Sequence, residues 1–255
     1  MLTMRGSILW IIYAFFYDMT MKRYRPHQRM VAQAVAWTFE ICPAFIYEQA
    51  CGTGLFIRAL RAKNWRGTYI GADPSPTMLV KARGNNPDVR STAFVSGVFA
   101  TLADMTTKTM DYIVCLHAPY LMRGEEAETW LSQLQRVLLP GGHVLFSALH
   151  RIDVEAMMRA HAELPPPMEY RNSMRAAVKV CLNHSPFLFL PFFLTGVIAK
   201  IAGGDTTHQL LSRAQWNELI DASGFQRIHV EGYFGGENYT ITQHPGTIWL
   251  LRKKE

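Results

Sequence analysis

A chain of 255 residues that is 49% hydrophobic, 12% aromatic and only 18% charged is too apolar to be disordered and long enough to bury a core without disulfide or metal staples. Lys plus Arg number 26 against 20 Asp plus Glu, a net charge of +6. That mild excess suits anionic ligands or membrane surfaces and does not mark a nucleic-acid binder.

The first feature along the chain is the apolar run Gly6–Tyr17, between Arg5 and Asp18. Its 12 residues are too few to cross about 30 Å of hydrocarbon. Asp18, Lys22, Arg23 and Arg25 follow where a signal peptide would carry small residues, so a retained N-terminal helical cap over 1–40 is expected. The basic run Lys22, Arg23, Arg25 and Arg29 reads as a solvated helix face, with phosphate binding as the alternative.

A core over 41–150 then alternates apolar runs with helical patterns. Strands are predicted at Phe45–Tyr47, Thr68–Ala72, Ala93–Val95, Asp111–Leu116 and His143–Ser147. Helices are predicted at Gly54–Lys63, at Pro76–Arg83 with proline near its start, and at Glu125–Leu138 stopped by Pro140-Gly141-Gly142. Strands alternating with helices imply a parallel sheet covered on both faces.

From 151 to 211 the alternation stops. This insert holds Pro165–Pro167 and the apolar stretch Ser185–Ala199, which is short for a membrane span and broken by Pro186 and Pro191. It reads as a lid over an apolar pocket or as a peripheral membrane contact. Residues 212–255 return to order. Ser212 is the predicted N-cap of a helix Arg213–Ala222 that Gly224 closes. Strands at Gln226–Phe234 and Thr247–Arg252 form an edge hairpin across the Gly235-Gly236 turn. The expected architecture is a single α/β domain with a Rossmann-like, doubly wound, mostly parallel seven-stranded sheet.

Ligands of such sheets bind beyond the carboxyl ends of the strands. After the first strand comes Glu48-Gln-Ala-Cys-Gly-Thr-Gly54, with small residues at 50, 52 and 54 that let a ligand lie against backbone. The third glycine of a dinucleotide loop would fall at Leu55, so a nicotinamide oxidoreductase is the weakest alternative. Asp73, 19 residues past Gly54, ends the second strand. A carboxylate there suits the hydroxyls of a ribose, leaving Ser75 to cap the following helix. The four cysteines Cys42, Cys51, Cys115 and Cys181 form no CxxC pair and the nine histidines no HExxH pattern. Reduced thiols, a cytoplasmic location and no metal site are expected.

The segments EQACGTG, GADPSPTMLVKAR, MDYIVCLHAPYLM and LLPGGHVLF, in this order, resemble class I S-adenosylmethionine-dependent methyltransferases. The resemblance covers about residues 12 to 150 and returns at LSRAQWNELIDASGF. It is closest to the branch that includes quinone C-methyltransferases and lipid N-methyltransferases, whose tyrosine-aspartate segment YAFFYD resembles. It implies S-adenosyl-L-methionine as cofactor. Glu48, Ala50, Cys51, Gly52 and Gly54 would frame its methionine part, and Asp73 would hold its ribose. Pro74 and Met78 would flank the adenine. Gly97, Val98 and Phe99 stand where the family usually places an acidic residue against the adenine amino group. Cys115 and Leu116 would lie beside the methionine amino group, and Tyr17 would approach the carboxylate or sulfonium.

Methyl displacement requires alignment above all, and a base only where the acceptor must lose a proton. His117 and, less directly, His150 are the candidate bases; His117 reads equally as a structural histidine bonded to a loop carbonyl. Tyr13, Tyr120, Phe189 and Phe193 are the candidate acceptor-site residues, the two tyrosines with core packing as the alternative. His117-Ala-Pro-Tyr120 lacks the Asn or Asp that base-methylating enzymes place before Pro-Pro-aromatic. The expected reaction is methyl transfer to a hydrophobic small molecule, such as a quinone, a lipid or a natural product. The alternative is a non-methylating member of the same fold, a cyclase or an interaction protein.

Overall fold

The computed structural model describes Tyr17, Asp18, Met21 and residues 25–87, 92–97, 99–119, 122, 124–149, 211–233 and 246–254. A first helix, α1 (Arg25–Ile41), leads into β1 (Phe45–Gln49), α2 (Leu55–Ala62), β2 (Thr68–Asp73), α3 (Pro76–Asn85) and β3 (Thr92–Ser96). A short 3-10 turn, Phe99–Asp104, precedes β4 (Met110–Cys115), α4 (Gly124–Val137) and β5 (Leu138–Leu149). The chain closes with α5 (Arg213–Ala222), β6 (Phe225–Gly232) and β7 (Gly246–Lys253).

The seven strands form one sheet in the order β3-β2-β1-β4-β5-β7-β6. β1 to β5 pair in parallel, and β7 runs antiparallel between β5 and β6. The expected doubly wound, mostly parallel sheet is therefore present. The strand order reverses between β1 and β4, which opens a crevice at their carboxyl ends where α/β sheets bind ligands.

Alternation along β1 shows how the core is split. Ile46 faces one layer, packed with Met30, Phe56 and Leu60 from α1 and α2. Tyr47 faces the other, packed with Leu131, Leu134 and Ile220 from α4 and α5, as the two-residue period of a strand requires. In the second layer the Phe146 and Trp249 rings stack at 4.9 Å, with Trp130 and Trp216 against Phe146 at 5.4 and 5.3 Å.

The ends of elements follow local chemistry. Ser75 accepts from the Met78 N–H at 3.4 Å, and Pro76 stands at the first helical position of α3. Ser212 and Gln215 make a reciprocal capping box on α5, satisfying two N–H groups that a helix start leaves bare. One boundary differs from expectation. α4 ends at Val137, one residue before the expected Leu138, but β5 follows at once: Leu138 already pairs with Met110, five residues before the expected start at His143. Lys253 Nζ donates to the Gln135 and Leu138 carbonyls, the latter at 2.7 Å. The last carbonyls of α4 are thus satisfied by a strand-end cation. The proline and glycines instead occupy a register shift in the ladder, with Gly141 at φ 72°.

Among the described residues no helix is long and apolar enough to cross a membrane. No group of three or more His, Cys, Asp or Glu there could hold a metal. The segments 6–16 and 151–210, which include the 185–199 stretch, and the Gly235-Gly236 turn lie outside the described residues.

Candidate functional site

The loop from β1 to α2 turns on positive backbone angles: Ala50 at φ 53°, Gly52 at φ 55° and Gly54 at φ 72°. This explains the small residues there, since a side chain strains a left-handed backbone. At Gly54 space adds to strain, because a Cβ would come 2.7 Å from Asn86 Nδ2. Gly52 is different. A Cβ there would meet nothing nearer than Tyr17 Cε1 at 3.9 Å. The Tyr17 ring therefore lies over Gly52 at the distance of an ordinary contact.

Two carboxyls flank this loop. Asp73 accepts from the Gly52 N–H at 2.9 Å through Oδ2 and from the Ser75 N–H at 2.8 Å through Oδ1. Burial raises its pKa against those two hydrogen bonds. Each oxygen keeps a further lone pair for a ligand hydroxyl. Glu48 is buried and accepts from Tyr69 Oη. Burial pushes its carboxyl up to about 8; the Tyr69 hydrogen bond opposes the rise and the Asp73 charge adds to it.

Asp18 ties the N-terminal segment to the loop. Its carboxylate accepts from Thr53 Oγ1 and from Asn85 Nδ2, the latter at 2.8 Å, while Asn85 also donates to the Thr53 carbonyl at 3.0 Å. Tyr17, next in the chain, thereby reaches the cavity, which it lines together with Glu48, Ala50, Cys51, Leu116 and His117.

Across the cavity, the His117 backbone N–H donates to Ser147 Oγ at 2.9 Å, and its φ is 58°. A non-glycine residue held there is strained in the way functional sites often are. Ser147 Oγ in turn lies 2.9 Å from Met30 Sδ on α1. The His117 ring lies 5.5 Å from the His27 ring and 5.7 Å from that of Tyr233. Burial lowers the His117 pKa to about 4. It also lowers His27 to about 3, with the His117 charge as a smaller cause. Both imidazoles are therefore neutral at pH 7.

The structure brings Tyr17, Glu48, Ala50, Cys51, Leu116 and His117 around one cavity, with Gly52, Gly54 and Asp73 in its loop. Met78 is buried at the start of α3, Pro74 is exposed, and the Gly97 N–H donates to the Asp73 carbonyl at 3.3 Å. Cys115 lies apart, fully buried in the layer beneath α4. Burial pushes the thiols of both Cys51 and Cys115 well up, so neither is a ready nucleophile. Phe99 opens the 3-10 turn. Val98, Tyr13, Tyr120, His150, Phe189 and Phe193 lie outside the described residues. Sequence reasoning missed His27, Met30, Asp18 and Asn85. Asp18 stood inside the YAFFYD segment; no spacing links His27 to His117, 90 positions away.

Residues 46–142 match the family model described as a methyltransferase domain. No curated protein matches the chain by sequence. Among solved structures, the chain is similar to magnesium protoporphyrin IX methyltransferase from Synechocystis PCC 6803 with bound SAH. The two share 16% identity and a TM-score of 0.53, over 91% of this chain and 86% of that one. An S-adenosylmethionine-dependent methyltransferase of Thermotoga maritima, described as a possible histamine N-methyltransferase, is similar at 15% identity and TM-score 0.54, over 96% and 100%. The N-methyltransferase NodS of Bradyrhizobium japonicum is similar at 14% and 0.50, over 83% and 86%.

Proposed function

From the match of residues 46–142 to a methyltransferase domain, we propose that the protein is an S-adenosylmethionine-dependent methyltransferase acting on a hydrophobic small molecule. The observation that carries the reading is the Asp73–Gly52 pair at the carboxyl ends of β1 and β2, beside Tyr17. Asp73 keeps acceptor capacity for ribose hydroxyls, and the small residues at 50, 52 and 54 let a ligand lie against backbone. The residues present therefore fit the cofactor. When bound, it supplies a methyl group on a sulfonium.

The chain's own residues do the rest. Asp73 and the 50–54 loop orient, and Tyr17 covers Gly52. Met30, Val31, Leu55, Phe56 and Leu116 line the cavity beside Tyr17, His27, Glu48 and His117, and its apolar part suits a hydrophobic acceptor. His117, neutral at pH 7, is available to accept a proton where the acceptor must lose one. Cap, core and C-terminal elements act as one domain, with 151–211 as the lid that selects the acceptor.

Calorimetric titration with S-adenosylhomocysteine, with NAD and NADP as controls, tests this. The expected result is binding of S-adenosylhomocysteine alone, reduced roughly 10- to 100-fold in Asp73→Ala as a charge-assisted pair is lost, and lost in Gly52→Val. A folded protein that fails to bind overturns the reading in favour of a non-methylating use of the fold.

A further inference from the structure

Beside the cofactor cavity a second, larger hollow runs between α1 and α2. It shares His27, Val31 and Leu55 with that cavity and continues past Val35, Ala59 and Ala62. Three properties distinguish it from a packing defect. First, its floor is apolar and incompletely covered: Val31, Leu55 and Ala59 sit on the core but stay partly exposed. Second, among the described residues its walls carry two cations, Arg58 and Lys63, and no carboxylate. Neither cation has an ion-pair partner among the described residues, where the ion pairs are Arg227–Asp221 and His229–Glu40. Third, the groove has direction. Leu55 opens α2 at the cavity and Lys63 caps its far end, about 12 Å away at ~1.5 Å per residue.

We propose that this groove binds an amphipathic small-molecule acid, its apolar body along Val31, Leu55 and Ala59 and its anionic end toward Lys63, with the Arg58 charge on the same wall. Charge complementarity selects the occupant. A neutral apolar molecule would leave two cations unused at the mouth, and a cationic amphiphile would be repelled there. The apolar end then arrives at His27, within reach of the cavity that holds His117. Resting on the methyl-transfer reading for its role, the groove supplies the acceptor: a hydrophobic acid whose methylated atom lies at the end away from the anion. Its occupancy by an acid does not depend on that role.

The test uses the full chain and three probes of one chain length below their micellar concentrations: dodecanoate, 1-dodecanol and dodecyltrimethylammonium. Binding is read by calorimetry beside a separate titration with S-adenosylhomocysteine. Dodecanoate is expected to bind about tenfold more tightly than the alcohol, the combined worth of two partly exposed charge contacts, and tighter still than the ammonium. The double variant Arg58→Gln/Lys63→Gln is expected to erase that preference. Ala59→Phe, which fills the groove without touching the cofactor cavity, is expected to weaken all three probes and leave S-adenosylhomocysteine binding intact. Equal affinity for acid and alcohol overturns the proposal. So does acid binding that survives both variants. Failure of every amphiphile to bind, as another part of the chain lying in the groove would produce, overturns it too. Loss of S-adenosylhomocysteine binding alone sinks the methyl-transfer reading and leaves the groove standing.

Discussion

Glu48 illustrates how one residue's surroundings set its chemistry. A carboxyl at the end of a central strand is sealed from water, and burial lifts its pKa to about 8. Below the unfolded value near 4.5 it is protonated in both states and contributes nothing. Between there and about pH 8 the unfolded state sheds its proton first, so stability falls as pH rises, and the loss levels off above 8. In Glu48→Gln the amide still accepts from Tyr69, so its stability is expected to vary less with pH across that window. Thermal melts of both proteins from pH 5 to 8 check this: the variant gains relative to the parent as pH rises. His27 and His117 act on the other side. Their depressed pKa values mean stability rises with pH from about 3 or 4 up to about 6.5, and is lost on acidification as the buried rings charge. Gly54 makes a steric prediction. A methyl group at φ 72° and 2.7 Å from Asn86 Nδ2 strains the backbone and displaces the neighbour, so Gly54→Ala is expected to cost about 1–3 kcal/mol by urea denaturation.

At the scale of elements, caps and registers set the boundaries. The α5 capping box satisfies the start of a helix that buries Trp216 and Ile220. Ser212→Ala leaves that burial intact and removes the cap, so it is expected to cost about 1 kcal/mol. In a chain of this size that is about 2–4 °C in melting temperature by differential scanning calorimetry. The start of β5 shows what local signals miss. A proline and two glycines are strong punctuation, and they read as the stop of α4. Pairing with β4 and the Lys253 ammonium on the helix-end carbonyls start β5 at Leu138, five residues before the expected His143, because a ladder partner outweighs a local turn preference.

Across the whole molecule, the sheet separates stability from the site. The stacked Phe146 and Trp249, with Trp130 and Trp216 around them, lie on the α4–α5 face. The cavity is lined from α1, from the β1–α2 loop and α2, and from the end of β4. Phe146→Ala is therefore expected to cost about 3–5 kcal/mol as a cavity opens in the second layer. Its S-adenosylhomocysteine affinity, measured where the variant remains folded, is expected to be unchanged. A matching loss of affinity without loss of stability would show that the two faces are not independent.

Periodicity and spacing in the sequence determined the α/β alternation, the strand cores and the loop EQACGTG with Asp73 placed after the second strand. These are readable because a buried strand must be apolar, a helix must show a stripe, and a ligand loop needs small residues at fixed offsets. They also located Gly52 and Asp73, while the resemblance to methyltransferases added Glu48. Only the tertiary structure decided that Asp73 reaches back to the Gly52 N–H and that Asp18 anchors Tyr17 through Thr53 and Asn85. It alone brought His27 against His117 and turned Cys115 away from the cavity. Each of those contacts joins residues that no sequence period couples. They arise from how α1 crosses the sheet and how strand order reverses between β1 and β4, and such geometry exists only once the layers have packed.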